Sequence, residues 1–89
     1  MNLFGLGMDS KIEDVLIEVG CNNRLWNILM WGVNYPNYDD MNVTTMRDLV
    51  NMPKENILNV RNLGKKGVDE IKSIFEFCGI NEIKDWKNL

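Results

Sequence analysis

Hydrophobic positions recur at helical spacing along most of the chain, and this pattern predicts a series of short helices. The first helix is predicted from about Lys11 to Val19, where Gly20 ends it. Ser10 and Glu13 have the spacing of a capping box at its start. The apolar face of this helix consists of Ile12, Val15, Leu16 and Val19.

A second helix is predicted from Asn23 to Trp31, with Asn22 as its N-cap and Gly32 as its C-terminal signal. Its apolar stripe consists of Leu25, Ile28 and Leu29, widened by Trp26 and Trp31. The next segment, 33–42, is rich in Asn, Asp and Tyr and has no period, which is typical of an ordered surface loop.

Two brief helices are predicted after this loop. Thr44 or Thr45 caps the first, which continues through Leu49 and Val50. Pro53 opens the second, and its residues directed to the core are predicted to be Ile57, Leu58 and Val60.

The last helix is predicted to begin near Lys65 and to end before Gly79, with Ile80 as the hydrophobic residue that follows. Its apolar positions are Val68, Ile71, Ile74, Phe75 and Cys78. No segment alternates with the two-residue period of a strand. We therefore predict an all-α fold, a compact bundle of four to six short helices with a helix-hairpin-helix motif.

The composition of the 89-residue sequence limits the kinds of site that it can form. Three Trp, six Met and three Phe provide bulky side chains for one small core that needs no disulfide. Cys21 and Cys78 are not a CxxC pair and there is no His, so we predict reduced, buried, structural thiols and no metal or cofactor. No catalytic pattern is present, and we predict that the protein is not an enzyme. The start lacks the features of a signal peptide, which indicates a cytosolic location.

Charge is distributed unevenly along the sequence. The net charge is −3, but residues 1–60 carry four basic and eight acidic side chains, whereas residues 61–89 carry six basic and five acidic ones. A contact with nucleic acid is therefore predicted to be a small local site.

The basic side chains include two lysines next to a four-residue turn, "RNLG", at residues 61–64. We predict that Asn62 takes the left-handed conformation, that Leu63 fills the space between the helices, and that Gly64 leaves backbone N–H groups uncovered. With Lys65 and Lys66 beside it, this helix start favours an anion, and a phosphate is its natural ligand. The alternative is a tight helical hairpin whose lysines are only solvated.

Three motifs extend this interpretation to a family. "NVRNLGKKGVDEIKSIF" (59–75) closely resembles the C-terminal domain of the bacterial RNA polymerase alpha subunit, whose hallmark is an "NLGKKS" turn. "RLWNIL" (24–29) is similar to that family's "RxxNxL" helix, and "NVTTMRDLV" (42–50) is similar to its "INTxxDLV". Trp86 resembles the family's late tryptophan. The resemblance covers about residues 21–86 and leaves residues 1–20 as an N-terminal extension with a short acidic helix.

The resemblance implies five short helices, a non-enzymatic role in transcription, and binding to the minor groove of A+T-rich double-stranded DNA. It also implies RNA polymerase or transcription regulators as partners. Arg24 would enter the groove, with Asn27 beside it on the same helix face. The family's other contact positions fall on Asn62, Gly64, Lys66, Gly67 and Glu70. Lys65 is either a peripheral phosphate contact or solvent-facing, and Glu70 either orients Arg24 or Lys66 or has no such role.

The sequence departs from the family in several ways. Gly67 replaces a small hydroxyl residue, and Ile28 stands where the family often has a cysteine. The loop at 33–42 is longer, and Asp39 and Asp40 within it would repel phosphates. The acidic helix at the start replaces the family's linker and assembly domain, so the chain is either an excised piece or a free-standing relative.

A second hypothesis is a protein-interaction adaptor that keeps the fold but does not bind DNA. It would use the acidic first helix and the aromatic residues Trp31, Tyr35 and Tyr38. The net acidity of the protein favours the adaptor, whereas Arg24, Asn27 and Lys66 favour DNA binding. The aromatic residues also allow weak self-association.

Overall fold

The computed structural model describes residues 5–35 and 43–89, and within them the fold is all-α as predicted. The five α-helices are α1 (Ile12–Val19), α2 (Asn23–Met30), α3 (Met46–Val50), α4 (Lys54–Leu58) and α5 (Gly64–Phe77). Short 3-10 helices lie at Gly32–Asn34 and Lys84–Asn88. The described residues form no strand, only an isolated β-bridge between Lys11 and Thr45. None of their helices is long and apolar enough to cross a membrane.

One hydrophobic core joins all five helices to the C-terminal segment. Trp86 is completely buried, and its indole Nε1–H donates to the Leu49 carbonyl at 2.7 Å. Its ring meets the Phe75 ring edge to face, with centroids 5.6 Å apart. Helix α1 contributes Ile12, Val15 and Leu16 to the same core. The acidic helix is thus packed into the bundle.

The segments before α1 and α3 bind each other through their backbones. Ile12 N–H donates to the Thr44 carbonyl and Met46 N–H donates to the Ser10 carbonyl, both at 2.9 Å. The predicted capping box at Ser10 and Glu13 is wrong, because the N-cap residue of α1 is Lys11 and its side chain makes no capping hydrogen bond. The Ser10 hydroxyl instead accepts from Gly7 N–H at 2.9 Å.

Other helix starts follow the sequence prediction. The Asn22 side chain accepts from Leu25 N–H at 2.8 Å and thereby caps α2. Of the two candidate threonines, Thr45 caps α3 and forms a full capping box with Asp48. Helix α4 starts after Pro53, and Lys54 N–H donates to the Asp85 carboxylate at 2.8 Å. That last contact spans 31 residues and has no local signal in the sequence.

The prediction that Leu58 faces the core is wrong. Leu58 is 66% exposed, whereas its neighbour Ile57 is fully buried and Val60 is buried as well. Helix α4 has only five residues, so it can turn one narrow face inward, and adjacent residues of a helix point about 100° apart. Ile57 occupies the inward position.

The end of α5 was predicted correctly. Gly79 has a φ of 71° and follows the C-cap Cys78. Gly79 N–H donates to the Glu76 carbonyl at 3.0 Å and Ile80 N–H donates to the Phe75 carbonyl at 2.9 Å. These two bonds form a Schellman motif, which buries Ile80.

Asn34 is the buried polar residue among those that the structure describes, and its side chain joins the 3-10 helix Gly32–Asn34 to Val43. Its side-chain amide donates to the Val43 carbonyl and accepts from Val43 N–H, both at 2.9 Å. The predictions for Tyr38, Asp39 and Asp40 concern residues outside the described part of the protein.

The two cysteines form no disulfide. Cys78 is buried as predicted, whereas Cys21 is only partly buried. Burial raises the pKa of both thiols, so each resists ionisation at neutral pH. No group of acidic, Cys or His side chains in residues 5–35 and 43–89 could hold a metal ion.

Candidate nucleic-acid interface

The turn between α4 and α5 has the conformation that its sequence predicts. Asn62 has a φ of 64° and Gly64 a φ of 58°, so two left-handed residues reverse the backbone within a few positions. Leu63 between them is only 4% exposed and packs into the core. The buried leucine holds the turn against the bundle, while Asn62 and Gly64 stay on the surface.

The start of α5 is basic, and the side chain of its N-cap residue, Leu63, makes no capping hydrogen bond. Its first turn contains no acidic residue, and both Lys65 and Lys66 are exposed there. The first N–H groups of a helix lack partners within the helix and carry the positive end of its dipole. This surface can therefore accept an anion through backbone N–H groups and two ammonium groups together.

Gly67 lies on the inner side of this first turn and is buried. A Cβ at this position would lie 3.0 Å from Leu63 Cδ1 and 3.9 Å from Arg24 Nη2. The glycine therefore allows Leu63 to sit tightly beneath the turn. A side chain at this position would press on the tip of the buried leucine, which would have to move by a few tenths of an ångström.

Arg24 connects α2 to the turn. Its Nη2 donates to the Asn62 carbonyl at 2.9 Å and, at a longer 3.5 Å, to the Leu63 carbonyl. Its Nη1 lies 4.0 Å from Glu70 Oε1 on α5, and the Arg24 side chain remains 47% exposed. A pair this long and exposed contributes little to stability, so the carbonyl contacts are the stronger restraint. Of the roles considered for Glu70, the geometry places its carboxylate beside Arg24.

The predicted site residues come together on one side of the bundle to different degrees. Arg24 connects three of them, since it is hydrogen-bonded to Asn62, lies 4.0 Å from the Glu70 carboxylate and lies close to Gly67. Asn27 is exposed on α2, one helical turn after Arg24. Gly64, Lys65 and Lys66 are exposed at the start of α5. Their roles as DNA contacts remain predictions.

Sequence reasoning missed two features of this surface. The carbonyl of Asn62 is an acceptor for Arg24, 38 residues earlier in the sequence, and no local pattern signals a contact of that range. Arg61 is exposed in the same turn and adds a third basic side chain next to the two lysines. Arg61 could have been assigned to this surface from the sequence, because it is the first residue of the four-residue turn.

Comparison with known protein families finds a match to part of the sequence. Residues 39–76 match the family model of the C-terminal domain of the bacterial RNA polymerase alpha chain. This range contains α3, α4, the turn and nearly all of α5, but it is narrower than the predicted 21–86 and does not include Arg24, Asn27 or Trp86. No curated protein and no solved structure matches the sequence. Over residues 39–76 the protein is thus similar to the C-terminal domain of the polymerase alpha subunit, which supports a transcription-related DNA-binding domain of a non-catalytic kind.

Proposed function

We propose that this protein is a non-enzymatic transcription module that binds the minor groove of A+T-rich DNA and brings it to RNA polymerase or to a transcription regulator. Arg24 enters the groove, with Asn27 beside it. The turn and the first residues of α5 contact the phosphates, namely Asn62, Gly64, Lys65 and Lys66. Gly67, which was predicted as a further contact, is buried and its N–H donates to the Leu63 carbonyl, so it shapes the turn and does not touch the phosphate. Glu70 acts through Arg24, whose guanidinium it helps to orient.

The observation that carries this proposal is the placement of Arg24. Its guanidinium is anchored at one edge by the Asn62 carbonyl, and nearly half of the side chain remains exposed. A guanidinium has five N–H donors in a fixed plane, so one anchored edge leaves others for a ligand. The anchoring contact also fixes the distance between the arginine and the α5 lysines. One rigid surface thus presents a planar cation next to a phosphate-binding helix start.

This arrangement is suited to recognising the shape of A+T-rich DNA and not a particular base sequence. A narrow minor groove concentrates negative potential and attracts an inserted arginine, whereas its edges carry little sequence information. The phosphate contacts set the register on the backbone. With about 3–5 phosphates contacted, the logarithm of the binding constant should fall with the logarithm of salt concentration with a slope near −0.9 per phosphate.

The test is an amide-resolved NMR titration of the 89-residue protein at low salt with two duplexes of equal length. One duplex contains an A-tract and the other is G+C-rich. We expect shifts clustered at α2 and the turn, around Arg24 and Gly64, and tighter binding to the A-tract duplex. The Arg24→Ala variant should lose most of the affinity and the preference for the A-tract.

The matched control for this variant is Arg47→Ala. Arg47 is also a half-exposed arginine with an anionic neighbour, since its guanidinium contacts the Asp9 carboxylate at 3.1 Å. It lies on α3, and its loss should leave DNA binding unchanged. Equal losses in both variants would indicate nonspecific attraction of positive charge and would contradict a specific role for Arg24.

The adaptor remains the second candidate, and the outer face of α1 favours it. That face combines the acidic side chains of Glu13, Asp14 and Glu18 with the exposed Ile17. An acidic surface with an apolar centre suits a protein partner and repels phosphate. If neither duplex moves any amide signal at low salt, the turn is retained scaffold and the adaptor becomes the better explanation.

A further inference from the structure

A groove lies between α4, the start of α5 and the C-terminal segment, and it has a volume of about 510 Å³. The charged side chains that line it are Lys54 and Lys65. Leu58, the residue predicted to face the core, is 66% exposed here. The apolar lining consists of the exposed Leu58, the C-terminal Leu89 and a floor of buried side chains, namely Ile57, Val60, Leu63 and Val68.

The outer face of α1 has the opposite character. Ile17 is 62% exposed, and Glu13 and Asp14 precede it by four and three residues. Residues at these spacings are neighbours on a helix surface, so the two carboxylates flank the isoleucine. Glu18 adds a third negative charge at the edge of the same outer face, about 100° around the helix from Ile17. The opposite face of α1 is fixed in the core by Ile12, Val15 and Leu16. The isoleucine is therefore held outward on a packed helix.

We propose that the groove receives helix α1 of a second copy of this protein. Ile17 of that copy packs on the apolar lining beside Leu58, and its Glu13 and Asp14 face the lysines at the rim. The inference comes from complementarity of charge and polarity between two surfaces of the same molecule. The contact buries both exposed aliphatic side chains, Ile17 and Leu58, away from water.

The two surfaces lie on different elements, so the contact is heterologous and joins copies head to tail. One short helix in one groove buries well under about 1,000 Å², which places the association in the weak, transient class. Its charged rim makes it weaker at high salt. The groove shares Gly64 and Lys65 with the proposed DNA surface, but self-association does not require DNA, and each proposal can fail without the other.

The test is sedimentation equilibrium of the full 89-residue protein at low salt, at concentrations up to about 1 mM. The average mass should rise with concentration and fall back when salt is added. Ile17→Lys places a positive charge against the rim and should remain monomeric. Val19→Ser is the matched control, because Val19 lies on α1 but about 200° around the helix from Ile17, and it should associate like the unmodified protein.

A mixing experiment tests the head-to-tail geometry. The groove variant Leu58→Ser with Lys65→Glu keeps an intact α1, and the Ile17→Lys variant keeps an intact groove. Each should be monomeric alone, and their mixture should form a 1:1 dimer that does not grow further. Amide spectra establish that both variants are folded, which the exposure of the substituted side chains favours.

Three results would overturn the proposal. The unmodified protein could remain monomeric at the highest concentration, which would leave the groove to a segment of another protein. Ile17→Lys could associate as well as the unmodified protein, which would place the contact elsewhere. The two folded, monomeric variants could fail to combine, which would exclude pairing of α1 with the groove.

Discussion

The starts of α3 and α5 solve the same physical problem in different ways. At α3, Thr45 accepts from Asp48 N–H, and the Asp48 carboxylate accepts from the backbone N–H groups of Thr44 and Thr45, all at 3.2 Å. At α5, no side chain of the described residues caps the helix, and the residues beside its first N–H groups are lysines. One start is satisfied within the molecule, and the other is open to an external acceptor.

Under the proposed function, the difference separates a structural helix start from one that binds a ligand. A capped start contributes to folding whatever the protein binds. An uncapped start gives up this contribution but keeps its N–H groups and dipole for a ligand. The neighbouring Arg24 strengthens the second interpretation, since it restrains the turn while Gly64, Lys65 and Lys66 remain exposed.

The largest expected effect comes from removing the α3 cap. Thr45→Ala with Asp48→Ala should lower the free energy of unfolding by about 1–2 kcal/mol, because a lost cap typically costs about 1 kcal/mol and this one is reciprocal. Urea unfolding measures the change. DNA affinity of the folded variant should stay the same, and a matching loss of affinity would contradict the separation of the two starts.

A smaller effect is expected from the α5 lysines. Lys66→Ala should change the free energy of unfolding by less than about 0.5 kcal/mol, as exposed substitutions usually do. It should weaken binding to all duplexes alike and reduce the salt slope by about 1, because one phosphate contact is lost. Fluorescence titrations at several salt concentrations give both numbers. Lys87→Ala, exposed in the C-terminal segment, is the control and should leave the slope unchanged.

Acid should weaken α3 specifically. Burial raises the pKa of the Asp48 carboxyl, but the hydrogen bonds from Thr44 and Thr45 together outweigh it, and the pKa lies below its usual value. The folded-state pKa is depressed, so this stabilisation is fully present above the unfolded value near 3.9 and is lost as pH falls through the folded value. Thermal unfolding from pH 6 downward should show the advantage of the unmodified protein over Asp48→Asn shrinking below about pH 4. An advantage that is independent of pH would contradict the role of the charged carboxylate.

The smallest effect is expected from free phosphate. Inorganic phosphate at millimolar concentration should shift the amide signals of Gly64, Lys65 and Lys66, because these residues form the uncapped helix start, which includes two cations. The amide signal of Asp48 at the capped start should not move. Chloride at equal ionic strength is the control for general screening. Equal responses to the two anions would contradict specific phosphate binding at the start of α5.

Local signals in the sequence predicted most of the helix boundaries. Asn22, Thr45 and Gly79 act on backbone groups within four residues of themselves, so their roles could be read from spacing alone. The prediction at Ser10 failed for a nonlocal reason. The Thr44 carbonyl, brought close by folding, already serves Ile12 N–H, and the Ser10 hydroxyl is used by the preceding turn.

The conformations of single residues in the candidate site were predicted from the sequence, but the contacts between its elements were not. The left-handed Asn62 and the buried Leu63 followed from the turn sequence. The contact of Arg24 with the Asn62 carbonyl could not follow, since it depends on how α2 packs against the hairpin. The exposure of Leu58 was missed because α4 is too short for its period to be established from sequence.

The buried Asn34 has a consequence for insertions. Its side chain holds both backbone groups of Val43, so the two ends of the intervening segment are fixed by a contact that does not involve the residues between them. The entropy of closing a chain between two fixed ends rises slowly with its length, by about 0.6 kcal/mol for each doubling of the number of residues. The protein should therefore tolerate a peptide tag or a fluorophore attachment sequence between positions 36 and 42. This is where a reporter could be placed without disturbing either helix start.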